Sequence, residues 1–219
     1  MYGLQLDQLA ALLGLTGPQS RALVIRWRNR ALAETATLGP GPAWVWLTRS
    51  GLAACGVRYT SAPPALARLA HIRAVTAVRL SFEGAPAYQE ADAHWRSERR
   101  LRARLGARTR DHVPDGEVHW PDSAGVAWAG ECWAIEAERT AKTVARTAAI
   151  MRELLTRTGD YGSAVAETRV PGAPYRHARV VYLCSSAAVG TVTRAREALG
   201  GLSARIEIRD LPASAEVMR

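Results

Sequence analysis

Apolar residues at Leu4, Leu6, Leu9, Leu12 and Leu13 predict a short helix over 4–13, with Gly14 at a natural stop. Thr16-Gly17-Pro18 then opens a second helix, roughly 18–35, whose inner stripe is Leu23, Val24, Trp27 and Ala31. Its opposite face carries Arg21, Ile25 and Asn29, flanked by Arg26 and Arg28. In 43–56, Trp44 and Trp46 alternate with Val45 and Leu47 as in a strand, and Thr48 caps a short helix ending near Gly56. Residues 64–82 read as a helix with Leu66, Leu69, Ile72, Val75 and Val78 on a broad apolar side. Arg68, Arg73 and Arg79 face elsewhere, and the helix is expected to pack between the two halves of the chain.

The second half alternates between periods. A polar, Arg-rich helix is predicted over 86–105, a strand over 112–120 with a turn at Asp115-Gly116, and another strand over 131–138. A helix over about 140–157 shows Val144, Ala148, Met151 and Leu155 on one face. The nearly continuous apolar run 179–186 predicts a buried strand, followed by a helix over 188–199 and a last strand over 204–210. The expected fold class is α/β (α+β), with mixed strand directions and helices covering the sheet. The domains expected are 1–60, a connecting helix at 61–85, and 86–219.

Charge divides the chain unequally. The net charge is +9, yet residues 1–80 hold nine Arg against Asp7 and Glu34, a balance of +7, and the remaining residues hold only +2. A polyanion-binding module in front of a nearly balanced domain fits that asymmetry. No run of about 18 apolar residues exists and the first residues lack a basic stretch, so neither a membrane span nor a signal peptide is expected. Cys55, Cys132 and Cys184 are odd in number and widely spaced. They suggest buried thiols in a reducing cytoplasm rather than a disulfide framework or a zinc site. Lys142 is the one lysine in the chain.

A short helix, a tight turn and an Arg-rich amphipathic helix make the helix-turn-helix pattern, whose second helix would enter the major groove of duplex DNA. Arg21, Arg26, Arg28 and Asn29 are the expected DNA contacts, together with Arg49 after the strand. The strand followed by Leu47-Thr48-x-x-Gly51 and a short helix resembles the wing of bacterial winged-helix proteins, with the wing tip at 39–42. The usual first helix of such a module has no room before Leu4, and the helix at 64–82 is the candidate to cover that face.

The candidate chemistry lies further on. Glu136 and Glu138, two apart on a half-buried strand, share a face. Unpaired buried carboxylates are costly, so they call for a hard divalent cation or for basic partners among Arg139, Lys142 and Arg146. Pro114-Asp115 followed by Glu136-Ala137-Glu138 resembles the PD-(D/E)xK nuclease superfamily, with Glu138 where lysine is usual. That resemblance implies metal ligands Asp115 and Glu136 for Mg²⁺ or Mn²⁺, with the Ala137 carbonyl beside them. It also implies Lys142 standing in for the strand lysine, Glu138 positioning water, and Glu98 as the optional acid of the first helix. More narrowly, LTRSGLAACGV, LAHIRAVTAVRL, WRSERRLR and HVPDGEV…WAIEAERTAKT are similar to successive blocks of the actinobacterial replication-relaxation family of plasmid and mobile-element proteins. The family implies metal-dependent nicking of double-stranded DNA during replication or relaxation. The other reading is an inactive DNA-binding accessory protein at an origin or operator, its nuclease-like half serving homodimerisation or partner docking.

Overall fold

A computed structural model describes residues 2–105, 111–123, 125–157 and 177–215. The chain divides into two compact units, Met1–Leu80 with Ala213–Arg219, and Ser81–Pro212. The fold class is α+β, with one sheet in each unit.

The first unit begins with strand β1 (Leu4–Gln5) and helices α1 (Leu6–Leu13) and α2 (Gly17–Asn29). Strands β2 (Ala33–Ala36) and β3 (Trp44–Leu47), then helices α3 (Arg49–Ala54) and α4 (Leu69–Glu83), follow. The sheet order is β1-β3-β2, antiparallel throughout. Thr16 caps α2: its hydroxyl accepts from the Gln19 amide at 3.4 Å, while the Gln19 side chain accepts from the Thr16 amide at 2.8 Å. Such caps stabilise a helix by about 1 kcal/mol. Leu9, Val24, Ala33 and Val45 form one buried cluster; Trp44, Trp46 and Ile72 form another.

Two expectations for this unit are corrected. The second helix ends at Asn29 rather than near 35, because Ala31 turns the backbone to φ 53° and residues 33–36 pair with β3. Strand pairing is reinforced there by Trp46, whose indole N–H donates to Glu34 at 3.0 Å across the pair. Arg73 does not face outward: it is buried, gripping the Asp7 carboxylate at 2.9 and 3.2 Å and the Gln5 side-chain oxygen. Gln8 in turn donates to the Arg73 carbonyl at 2.8 Å. Helix α4 is therefore tied to β1 and α1 through Arg73. Gly51 is obligatory, since a Cβ there would lie 1.9 Å from the Leu32 carbonyl oxygen.

The second unit holds helix α5 (Pro86–Glu90), strand β4 (His94–Ser97), helix α6 (Glu98–Leu105), and strands β5 (Gly116–His119) and β6 (Cys132–Glu138). Helix α7 (Val144–Thr156), strand β7 (Arg179–Cys184), helix α8 (Ser186–Glu197) and strand β8 (Ile206–Asp210) complete it. The sheet runs β4-β5-β6-β7-β8. β4, β5 and β6 are an antiparallel meander, while β6, β7 and β8 are parallel and connected through α7 and α8. One face packs on α7 and α8 through Ala134, Met151, Leu154, Leu155, Val180, Tyr182 and Val192. The other carries Trp133, its ring tilted against those of Trp120 and Trp128 with centroids 5.0 and 5.6 Å away, and the Arg179 guanidinium 4.9 Å from its ring.

The single helix expected over 86–105 is instead helix, strand, helix. Asp92 at φ 51° breaks it, and residues 94–97 become the edge strand, burying Trp95 and Arg96. Period-based reading loses such a strand because only four residues long, with charged neighbours, it leaves no clear alternation. Strand β6, expected to be half-buried, is buried along its whole length. Among the described residues no helix is long and apolar enough to cross a membrane. Cys55 is exposed while Cys132 and Cys184 are buried, and burial pushes the Cys184 thiol up to about 12. Iodoacetamide on the native chain should therefore label Cys55 quickly and spare the other two until denaturant is added, as peptide mass mapping would show.

Candidate active site

The acids found in the sequence meet where β5 begins and β6 ends. Gly116 pairs with Ile135, so the next step of the same antiparallel ladder sets Asp115 beside Glu136. The Asp115 carboxylate accepts the Ala137 amide at 2.9 Å, which fixes it to the strand that carries both glutamates. Gly116 makes room for Trp95 of β4: a Cβ there would lie 2.0 Å from the Trp95 ring. Glu136 and Glu138 share the face of Ala134, toward α7 and α8, and are only 4% and 5% exposed.

Burial pushes the Glu136 carboxyl above the usual carboxylate range. The His112 hydrogen bond pulls it back, but the nearby Asp115 charge adds to the rise, and the net direction is up. A buried carboxyl whose ionisation is opposed by burial and by a neighbouring acid is what a cation would relieve. Their oxygens are the donors that Mg²⁺ and Mn²⁺ prefer, and Mg²⁺ commonly takes only one or two carboxylates, with water and phosphate filling the rest. Asp115 and Glu136 fit that requirement. Among the described residues, however, the three-donor group whose atoms lie within 4.8 Å of one another is elsewhere: Glu117, Cys132 and His177.

Lys142 forms a short ion pair with the buried Glu138 carboxylate. It lies just before Thr143, the residue that caps α7, rather than within the helix as expected. Its charge also lowers the Glu136 carboxyl, so it is felt across the site. Glu98 is at the site by its backbone: its amide donates to the Asp115 carbonyl at 3.1 Å. Its carboxylate accepts from Arg102 at 2.8 Å, and it follows β4 instead of sitting on a helix before the first strand.

His112 is a participant that no sequence pattern singles out: it falls in the predicted strand 112–120, but the strand begins only at Gly116. Its Nε2 lies 2.7 Å from Glu136, its amide donates to Glu153 at 2.8 Å, and its carbonyl accepts from Arg157 at 2.9 Å. Burial works against its proton, but the Glu136 hydrogen bond and the Glu136, Asp115 and Glu153 charges outweigh it and raise the imidazole above its ordinary range. The loop bearing Asp115 is thus clamped to α7 and its C-cap by two contacts and to β6 by a third. No local motif announces this, because Glu153 and Arg157 arrive from a helix about 40 residues away in the chain.

In the first unit, Arg21, Arg26, Arg28 and Asn29 are exposed along α2, beside Ile25, which is 54% exposed. Arg49 is exposed at the start of α3 and lines an open groove with Arg58 and Tyr59. No family model matches the chain, and neither a curated protein nor a solved structure matches it.

Proposed function

We propose that this chain is a DNA-binding protein whose second unit cleaves one strand of duplex DNA with a bound divalent cation, in plasmid or mobile-element replication or relaxation. The observation that carries the reading is the buried Glu136 carboxyl beside Asp115, at the junction of an antiparallel meander and a parallel crossover. The likeness of Pro114-Asp115 and Glu136-Ala137-Glu138 to the PD-(D/E)xK pattern supports it.

Asp115 and Glu136 would hold Mg²⁺ or Mn²⁺. A cation so held supplies polarisation of the scissile phosphate and a bound water of lowered pKa. The protein's own groups then have distinct tasks. His112 orients Glu136 through its hydrogen bond, and the Ala137 amide orients Asp115. Lys142 places positive charge beside the site, where it offsets charge developing on a phosphate, and Glu138 holds Lys142 and is poised to position water. Arginines on α2 supply phosphate contacts, with Arg and Asn able to read base edges. A cytoplasmic location and a homodimer belong to the same reading.

One observation favours the inactive accessory alternative: Glu136 already has His112 and Glu138 already has Lys142 as counter-charges. Incubating supercoiled plasmid with the full chain, in Mg²⁺, Mn²⁺ or chelator, decides between them. Metal-dependent nicking supports the enzyme; tight binding without nicking in either metal leaves the accessory role. DNA grip is tested separately. Arg21→Ala and Arg28→Ala should each weaken binding several-fold and reduce the slope of log K against log salt by about 1. Unchanged affinity and slope in both variants would remove α2 as the DNA-contacting helix.

A further inference from the structure

We propose that Glu117, Cys132 and His177 form a second, structural ion site that takes a zinc-class transition metal, independent of the Asp115–Glu136 pair. One donor atom from each of the three lies within 4.8 Å of the other two. All are sealed from solvent, at 0%, 2% and 1% exposure. Glu117 pairs in register with Ala134, and Cys132 lies two residues before Ala134, so both project to the α7 side of the sheet. His177 stands just ahead of β7, anchored by the Ala178 amide on the Cys132 carbonyl at 2.9 Å.

Hydrogen-bond accounting supplies an independent argument. His177 Nδ1 lies 3.0 Å from the Leu154 carbonyl oxygen, which can only accept, so Nδ1 carries a hydrogen. Its Nε2 faces a Glu117 oxygen at 2.9 Å, a contact that a positive species, proton or metal ion, bridges. A metal-bound histidine that donates its other N–H to a backbone carbonyl is the usual form of such a contact. His119 lies alongside the group: its Nε2 is 2.8 Å from the other Glu117 oxygen and 3.5 Å from the Cys132 sulfur.

The donor set selects the ion. Thiolate, imidazole and carboxylate together suit Zn²⁺ and match neither Mg²⁺ nor Ca²⁺, which prefer oxygen alone. Zinc–ligand bonds of about 2.0–2.3 Å place tetrahedral donors roughly 3.3–3.8 Å apart, so the 2.9 Å contact between His177 and Glu117 would open slightly as the ion enters. A burial this complete means the ion is taken up as the chain folds, tying β5, β6 and the approach to β7 to the end of α7. No CxxC or HxxxH spacing is involved, so the site is invisible until the strands pair.

The test uses the full chain, unfolded in chelator and refolded with Zn²⁺, with Co²⁺, or without metal. The expected result is about one equivalent of zinc per chain by elemental analysis, a higher melting temperature than the metal-free refolded chain, and a thiolate-to-cobalt charge-transfer band in the Co²⁺ form. The band should vanish in Cys132→Ser and persist in Cys184→Ser and Asp115→Ala, the last separating this site from the nicking site. If Cys132→Ser does not refold, His177→Gln should instead weaken cobalt binding while keeping the thiolate band. No retained zinc with identical melting in the presence and absence of metal overturns the proposal. So does a cobalt spectrum without a thiolate band.

Discussion

Asp115→Ala and Glu136→Ala are each expected to leave supercoiled plasmid intact where the unaltered chain nicks it in Mg²⁺ or Mn²⁺, a loss of roughly 10²–10³-fold or more. The size follows from what is removed. Each variant deletes one of two anionic donors, and the remaining carboxylate alone holds a hydrated Mg²⁺ weakly. Folding should survive, because the Glu136 carboxyl is raised by burial and by Asp115, so its loss removes a repulsion along with the His112 contact. Glu136→Gln sharpens the test: it keeps the shape and a partner for His112 but removes the charge, and it should be as inactive as Glu136→Ala. Lys142→Ala should reduce nicking about 10²-fold while preserving DNA binding, since it removes the ammonium that pairs with Glu138 and acts on Glu136. Equal nicking by Asp115→Ala and the unaltered chain would end the catalytic reading and assign the activity to a contaminant.

What could be read in advance, and what could not, follows the range of the forces involved. Helices with a stripe of apolar residues were readable: the Ala148, Met151 and Leu155 face of α7 enters the core as the spacing requires. So was Thr48 as a cap, whose hydroxyl accepts the Gly51 amide at 3.0 Å. The acids of Glu136-Ala137-Glu138 could be placed on one face because a strand's period is two. Charge contacts between distant segments were not readable. Arg73 looked like a surface residue by periodicity, yet it is buried on Asp7, 66 positions away. His112 looked incidental for the same reason, since its partners Glu136 and Glu153 are brought to it only by the sheet and by α7. Strand β4 was missed because its stability comes from pairing with β5, with His94 opposite His119 and Trp95 opposite Val118, and not from its own composition. The Glu117, Cys132 and His177 cluster belongs to the same class: three residues separated by 15 and 45 positions, gathered by strand register alone.

The packed layer beneath the site makes the largest stability prediction. Leu155→Ala should lower the free energy of unfolding by about 2–5 kcal/mol. Leu155 is fully buried, at 0% exposure, in the cluster joining α7 and α8 to β6 and β7. Its removal loses both the transfer energy of the side chain and the contacts of the cavity lining, and the surrounding sheet is too well fixed by its ladders to collapse into the gap. A conserved-volume change, Leu155→Met, should cost less than about 1.5 kcal/mol. Leu13, equally apolar but 44% exposed at the end of α1, provides the contrast: Leu13→Ala should shift stability by no more than about 0.5 kcal/mol. Urea titrations followed by far-ultraviolet circular dichroism would measure all three, with a lower midpoint at unchanged slope as the expected signature for Leu155→Ala. If Leu155→Ala and Leu13→Ala proved equally mild, α7 would not be packed against the sheet. The clamp from Glu153 and Arg157 to the Asp115 loop would then lose its foundation, because a helix that does not hold its apolar face against β6 cannot hold His112 against Glu136.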